Sequence, residues 1–489
     1  MPVLLELMKK DALMPPLGLA TVAALTPREY EVEIVDEEIE AIDFGVKYDI
    51  VGIAGYTYNA ARMFELSDEF RKRGILTVGG GPYCKVDTAA CRPHFDVLMI
   101  GEAEYTWPRF LADWEQGKYS DCYVADTQID MKDSPVPRWD LIPLEKYSGA
   151  ILQTARGCPY DCEFCDIVSL FGRTLRHKPI ENVLREVEAL SQRGSTSVWI
   201  ADDNFNGNKG YAKDLLRALA DLNHRLKHPM SYTTSVTLTV SRDTELLDLF
   251  KRANFKAVLI GIETPNTESL ISANKLQNTN LDLREAIQRV QARGMFVIAG
   301  MCVGFDSDDL DIFRQQSDFL IEAGLMVCVI SLLQAPKGTK LWRRLKKEHR
   351  LVTTFDDGNF YADTNIIPKL MEKEVLEEQY GKLLREVFSY EHFLKRLGSY
   401  VQQLRWNAHN PEVQDTRRPS RNAVNADDLK IALRVLRHYL FSTNGNKRRF
   451  FLSALRISLR NGLGSLPQLI EFLIWFKSQR EFIRKTYPQ

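Results

Sequence analysis

Arg156-Gly157-Cys158-Pro159-Tyr160-Asp161-Cys162-Glu163-Phe164-Cys165 follows directly on the apolar run 150–155. Such a run reads as a buried strand. The loop therefore leaves a strand's carboxyl end, where α/β proteins place their chemistry. Three thiols at this spacing are donors for an iron–sulfur cluster or for zinc. A cubane held through three of its irons leaves the fourth open to a further ligand. A structural zinc site would need a fourth donor, and the nearest in sequence, His177, stands twelve residues beyond Cys165 without a partner cysteine pair. Three buried structural thiols are the remaining reading, but a core cysteine has no reason to recur at this spacing in a loop of glycine and proline.

Downstream of the loop, apolar runs return at 197–201, 231–236, 257–263, 296–303 and 327–333, with helical intervals between them. With the run at 150–155 they make six successive βα units and predict a partial (β/α)6 barrel over residues 148–345. Asp202, Glu263 and Gln334 each end or immediately follow a run. Upstream, runs at 31–35, 49–54, 75–78 and 96–100 alternate with helical stretches, and the run from Val3 reads as an opening strand. That rhythm predicts a doubly wound α/β sheet over residues 1–140. Gly79-Gly80-Gly81-Pro82 and Gly101-Glu102-Ala103-Glu104 both follow strands, and Ser134-Pro135-Val136-Pro137 through Pro143 reads as a linker. From residue 346 the strand signal vanishes. Helical periodicity fills 374–404 and resumes after Asp427, with a polar connector at 407–425, so 346–489 is predicted to be a helical domain.

The whole-chain totals agree with several folded domains: 489 residues, 45% hydrophobic and 26% charged. A formal net charge of -1 argues against coating nucleic acid. No basic stretch followed by an apolar run opens the chain, so a cytoplasmic protein is expected. The most apolar carboxyl-terminal stretch is interrupted by Glu471 and Lys477, too soon to span a bilayer. Eight cysteines are sparse for this length and unlike a disulfide scaffold.

The cysteine spacing of three then two, with Phe164 before the third thiol, resembles the radical S-adenosylmethionine superfamily. The resemblance implies that Cys158, Cys162 and Cys165 hold a [4Fe–4S] cluster whose free iron chelates S-adenosylmethionine. It also implies formation of a 5′-deoxyadenosyl radical, with an electron supplied by a donor such as a flavodoxin or ferredoxin. Ala201-Asp202-Asp203-Asn204-Phe205 stands where the family receives the cofactor's ammonium, making Asp202 or Asp203 the implied acceptor. Gly261-Ile262-Glu263-Thr264 resembles the segment for the ribose and methionyl moiety, and Gly300-Met301-Cys302-Val303-Gly304 resembles the one that lets the backbone approach adenine. Taken singly, an acid after a strand is a common helix cap and paired glycines a common turn. Their order behind the cysteine loop carries the weight.

The amino-terminal domain resembles the cobalamin-binding domain of the cobalamin-dependent members, on Pro15-Pro16-Leu17-Gly18-Leu19, Val35-Asp36-Glu37-Glu38 and the two glycine turns. Gly79, Gly80, Gly81, Gly101 and Glu102 are the implied cobalamin contacts. The alternative is a sheet that kept its fold and lost its ligand. Many such domains offer a histidine to cobalt from an Asp-x-His-x-x-Gly loop after the first strand. Here the corresponding loop is read as Asp11-Ala12-Leu13-Met14-Pro15-Pro16-Leu17-Gly18, without an imidazole, and His94 is expected at the surface. Cobalamin without histidine ligation is therefore expected.

Phe360-Tyr361-Ala362-Asp363-Thr364-Asn365-Ile366-Ile367-Pro368-Lys369 resembles the helical extension of a set that includes hopanoid methylases. From residue 429 on, twelve Lys or Arg face two Glu, interleaved with Tyr439, Phe441, Phe450, Phe451, Phe472, Trp475, Phe476 and Phe482. Two readings stand: a basic aromatic face for peripheral contact with an anionic membrane, and a helical cap on the barrel. The implied activity is methylation of an unactivated carbon of a lipid or other hydrophobic small molecule. A cobalamin-binding radical cyclase or rearrangement enzyme is the alternative, and a non-catalytic iron–sulfur or zinc scaffold the third reading. No motif names the substrate.

Overall fold

A computed structural model of the protein describes residues 2–352, 363–408, 426–460 and 466–487. The first sheet is parallel, with β1 Ile50–Ala54, β2 Leu76–Gly80, β3 Val97–Ile100 and β4 Cys122–Val124 added in chain order. Its helix Ala60–Lys72 buries Met63, Leu66 and Phe70 at the three-and-four spacing of one helical face. Inside that contact Ser67 Oγ donates to Thr77 Oγ1 at 2.9 Å, so the polar groups buried with the face are paired. Because all strands run the same way, the Gly79–Gly81 and Gly101 turns lie together along one carboxyl edge.

Two expected strands are absent. Residues 31–35 carry no ladder, and Pro2–Met8, which holds the run from Val3, is a helix. A short apolar run has no period that separates strand from helix. Tertiary contact decides it: Leu7 is buried, and Arg434 Nη1 donates to the Leu7 carbonyl at 2.6 Å.

The second sheet is the expected partial barrel, six parallel strands in the order β5 Ala150–Leu152, β8 Ser197–Ile200, β9 Ser231–Val236, β10 Phe255–Glu263, β11 Phe296–Val303 and β12 Val327–Leu332. Among the described residues β5 and β12 share no ladder, so the arc stays open. Between β5 and β8 the chain makes a two-stranded antiparallel element, β6 Ala155–Arg156 with β7 Arg176–His177. The helices wound outside follow local signals: Lys209–Arg225 buries Leu215, Leu216 and Leu219, and Asp243 caps Thr244–Arg252 by accepting from Leu246 N at 3.0 Å.

Beyond the barrel come helices Lys373–Val387, Tyr390–Ala408, Ala426–Leu440, Gly445–Leu459 and Leu466–Thr486. They cover the β11–β12 end of the arc. Tyr380 Oη donates to the Ile330 carbonyl at 2.8 Å, and the buried Arg396 Nη1 donates to the Leu325 carbonyl at 2.8 Å. The interleaved aromatics form the interior of this layer. Tyr439, Phe450, Phe451, Phe472 and Phe476 are buried, Trp475 and Phe482 pack half-buried against the core, and Phe441 is 83% exposed. The cap reading holds, and the aromatic face expected to meet a membrane is already spent on the barrel. Phe360, Tyr361, Ala362 and connector residues 409–425 lie outside the described residues. Among the described residues no helix is long and apolar enough to cross a membrane.

Candidate active site

The cysteine loop springs from the short β6 strand. Gly157 has φ +98°, and a side chain there would place its Cβ 2.4 Å from the Thr174 carbonyl oxygen, so the entry to the loop admits glycine alone. The loop is then fastened at its backbone: Cys158 N to Gly172 O at 3.3 Å, Cys165 N to Cys162 O at 3.2 Å, Glu163 N to Ala273 O at 2.9 Å, and Leu341 N to Glu163 O at 2.9 Å. Arg344 Nε holds the Glu163 carboxylate at 2.6 Å. All three thiols are free, with Cys162 buried and Cys158 and Cys165 half-buried.

Burial pushes the Cys165 thiol up to about 12, with Asp166 and the other two thiols adding to it, and burial likewise raises Cys158. Thiols so placed ionise when a cation compensates them, which is what a bound metal does. Two amides address the sulfurs: Asn204 Nδ2 lies 3.9 Å from Cys158 Sγ and Gln277 Nε2 3.5 Å from Cys162 Sγ. Their other ends, Asn204 Oδ1 and Gln277 Oε1, are buried without a hydrogen-bond partner. Orphaned buried acceptors beside three thiols fit a site shaped for a cluster and a polar ligand. Among the described residues no three His, Cys, Asp or Glu side chains converge as a single metal ion requires. A cubane, which spreads its thiolates over separate irons, suits the loop better than tetrahedral zinc. His177 instead packs its ring 4.2 Å from that of Tyr211.

The other expected residues separate into distinct places. Asp202 accepts from Thr154 N at 2.7 Å, from Ala155 N at 2.9 Å and from Thr154 Oγ1, so its carboxylate is engaged in pinning β5 to β8; burial still raises it to about 6. Asp203 accepts one backbone bond, from Gly157 N at 3.2 Å, and burial, with Asp202 and Asp166 nearby, raises it to about 7. Of the two, Asp203 is the one with acceptor capacity to offer. Glu263 ends β10 in a left-handed conformation, φ 66°, and receives Lys275 Nζ at 2.6 Å. Burial opposes the Lys275 charge, but Glu263 and the Cys162 and Cys165 thiols outweigh it and hold the ammonium above its ordinary range. Gly300 pairs with Gly261 across β10 and β11, leaving two neighbouring strands without side chains at that level. Gly304, in contrast, belongs to a turn: it has φ +109°, Asp308 Oδ2 accepts from its amide at 2.9 Å, and a Cβ would meet Leu376 at 3.1 Å.

On the amino-terminal sheet, Gly79 is packed under Phe95, whose ring a Cβ would meet at 2.8 Å, while Gly80 meets nothing closer than Met99 at 3.8 Å. Gly81 and Gly101 take positive φ in the turns at the strand ends. Glu102 points to the barrel: Arg156 Nη1 lies 2.7 Å and Arg176 Nη1 2.9 Å from its carboxylate. The loop after β1 is Gly55-Tyr56-Thr57-Tyr58-Asn59, so the place of a first-strand loop belongs to it and not to residues 11–18, which follow a helix and lie on the linker through Asp11 N to Lys146 O at 2.8 Å. Tyr56 is 54% exposed, yet Asp166 and Asp203 are near enough, after burial, to raise its phenol. The turn after β1 thus lies within electrostatic reach of Asp166 and Asp203. Tyr56, Asn204, Lys275 and Gln277 escaped the sequence reading. Asn204 had a signal, its place beside Asp203 at a strand end, whereas Lys275 and Gln277 lie beyond a helix with no motif spacing.

Known proteins bear on this arrangement. The Radical SAM superfamily matches residues 152–315, and a domain of unknown function matches residues 339–489. An uncharacterised methyltransferase of Synechocystis sp. is 34% identical over 400 residues, 80% of this chain and 74% of the relative. The hopanoid C-2 methylase of Rhodopseudomonas palustris is 32% identical over 352 residues, 70% of this chain and 66% of that one. The solved structure of the radical S-adenosylmethionine methyltransferase TsrM from Kitasatospora setae, with cobalamin and a [4Fe–4S] cluster bound, shares the fold at a TM-score of 0.61 and 15% identity, over 92% of this chain and 99% of that one. The family model spans the cysteine loop and the barrel strands up to β11, a relative is 34% identical over 80% of the chain, and the fold is shared with TsrM: the chain belongs to the radical S-adenosylmethionine superfamily.

Proposed function

We propose that the protein methylates an unactivated carbon of a hydrophobic small molecule. The observation that carries this is the meeting of two cofactor edges: Arg156, two residues before Cys158, is bonded to Glu102 in the turn after β3. Cys158, Cys162 and Cys165 would hold the cluster, Asp203 would accept the ammonium of S-adenosylmethionine, and the backbone at Gly300, where a Cβ would meet nothing nearer than 3.5 Å, leaves room for its flat base, while the space over Gly261 is taken by Glu263 and Lys275. The edge formed by Gly80, Gly81 and Gly101 would take cobalamin, with Gly79 packed under Phe95 behind it. When bound, the cluster with S-adenosylmethionine supplies a radical that removes a hydrogen atom from carbon, and cobalamin supplies the methyl group.

The protein's own part is to hold these groups over one cavity. Asp202 keeps β5 and β8 in register beneath the cysteine loop, and Asn204 and Gln277 orient thiols. Glu102 and Glu104 hold Arg156, keeping the two sheets together, and we place the domain divisions at the linker 134–143 and near residue 346. A one-electron donor such as a flavodoxin or ferredoxin completes the set. The hopanoid methylase among the relatives supports a lipid-like substrate, and any membrane contact would rest on surface Lys and Arg of the cap.

Anaerobic reconstitution with iron, sulfide and cobalamin tests the reading. S-adenosylhomocysteine together with a product in which one C–H has become C–CH3, a net gain of CH2, is expected, and Cys162→Ala should abolish both along with the bound iron. Formation of 5′-deoxyadenosine without S-adenosylhomocysteine would instead favour the cyclase or rearrangement alternative.

A further inference from the structure

Residues 273–278 lie against the cysteine loop at several points. Ala273 O accepts from Glu163 N at 2.9 Å, and Asn274 Nδ2 donates to the Asp161 carbonyl at 2.7 Å. Asn274 takes φ 55°, a left-handed conformation uncommon outside glycine, and the turn it makes brings the next side chains back over the loop. Gln277 Nε2 then reaches Cys162 Sγ at 3.5 Å, and Lys275 Nζ lies 5.8 Å from the centre of the Phe164 ring with Glu263 Oε1 at 2.6 Å. Asn278 Nδ2 fixes the far end on the Gly261 and Ile262 carbonyls at 3.1 and 3.2 Å.

We propose that this segment is a potential-setting clamp, in which the Gln277 amide and the Lys275 ammonium favour the reduced cluster and Glu263 tempers them. The proposal rests on the cluster reading given above. A cubane carrying three thiolates is an anion, and the one electron it accepts from an external reductant makes it more negative, from [4Fe–4S]2+ to [4Fe–4S]+. An N–H donor on a ligand sulfur and a buried cation both stabilise that added charge more than the oxidised state. The segment is built for this: the Gln277 amide donates to Cys162 while its carbonyl stays unpartnered, and Lys275, its side chain 11% exposed, is a largely covered cation with one carboxylate rather than two beside it. Gln277 and Lys275 are thus positioning and tuning residues, acting through the thiolates.

The full-length chain, reconstituted anaerobically without S-adenosylmethionine, is titrated with dithionite while the electron paramagnetic resonance signal of the reduced cluster is followed. Iron and sulfide contents are measured first. Gln277→Leu and Lys275→Met should each keep the cluster but require a lower potential, with the reduced-to-oxidised ratio at the wild-type midpoint falling about tenfold, 59 mV for one electron. Glu263→Gln should move the midpoint the opposite way. A purely structural clamp would alter cluster content and leave the midpoints alone, so coincident midpoints at full iron content overturn the proposal. If Lys275→Met fails to load a cluster, the opposite shifts of Gln277→Leu and Glu263→Gln decide it. If the wild-type chain takes up no cluster, the cluster reading itself falls and this inference falls with it.

Discussion

Arg156 is shared between two acids of the other sheet: Nη1 lies 2.7 Å from Glu102 Oε1 and Nη2 2.7 Å from Glu104 Oε1. Burial pushes the Glu102 carboxyl up, but Arg156 and Arg176 outweigh it and hold it below the usual range. The side chains are 13%, 8% and 3% exposed for Arg156, Glu102 and Glu104, so water cannot stand in for a lost partner. Glu102→Ala would leave Arg176 without its carboxylate and Arg156 with one instead of two. Removing one member of a buried pair costs about 3–5 kcal/mol. A lower midpoint of denaturant unfolding and faster proteolytic cutting in the linker 134–143 are expected. Unchanged cutting would mean that the two sheets are held together elsewhere.

The cap contributes the clearest pH dependence. His392 is buried, with its Nε2 3.1 Å from Ser317 Oγ, whose hydroxyl donates to Glu386 Oε1 at 2.6 Å. Burial, assisted by Arg396, pushes the imidazole down to about 3. An unfolded chain binds that proton near pH 6.5. Between these values the unfolded state holds more protons than the folded one, so stability is full above about 6.5 and is lost as pH falls, by at most about 1.4 kcal/mol per unit. Melting temperatures from pH 7.5 to 5 should fall in the wild type and fall less steeply in His392→Asn. Parallel slopes would place the acid sensitivity in other groups.

A different histidine tests the cobalamin edge. His94 is stacked on Phe64 at 4.1 Å and its Nδ1 lies 2.9 Å from Asp68 Oδ2, so its ring is engaged within its own domain. The turn after β1 also lacks an imidazole. Bound cobalamin should show the absorption of a base-off form without histidine ligation, and His94→Ala should leave that spectrum unchanged. A histidine-ligated spectrum that disappears in the variant would reverse the assignment.

Strand positions in the barrel were legible because six apolar runs recur at a βα interval, and each found its place within a few residues. The cysteines were legible because three thiols at that spacing have few other uses. Val3 to Met8 misled because a single apolar turn carries no period; as a helix it packs on the distant helices Ala426–Leu440, through Arg434, and Leu466–Thr486. That error displaced the first-strand loop from residues 55–59 to 11–18. Asp202 and Asp203 could not be told apart by position, since what separates them is the number of bonds each accepts. Lys275 and Gln277 were invisible for a similar reason: their meaning comes from a turn at Asn274 that brings them back to a loop more than a hundred residues earlier in the chain.

The same distinction between pattern and packing governs the tail. From residue 429 on, twelve Lys or Arg face two Glu, and each basic residue near an anionic surface is worth about 1 kcal/mol before screening. Stable attachment also needs apolar burial, and here Phe450 stacks on Tyr390 at 4.3 Å while Phe472 meets Phe296 of β11 edge-on at 5.8 Å. Those rings cannot leave without uncovering the barrel. What stays exposed is Phe441 with the scattered Leu433, Leu440, Leu452 and Leu459, less apolar area than the packed rings would have supplied. Intact protein should therefore adsorb weakly to vesicles rich in anionic lipid, release as salt shortens the screening length to below about 8 Å, and ignore neutral vesicles. Cosedimentation across a salt series measures this, with Phe441→Ser as the companion variant. Binding that survives high salt but is lost in Phe441→Ser would show that the exposed ring, with rearrangement of the helix Ala426–Leu440 that precedes it, supplies more burial than the cap leaves free.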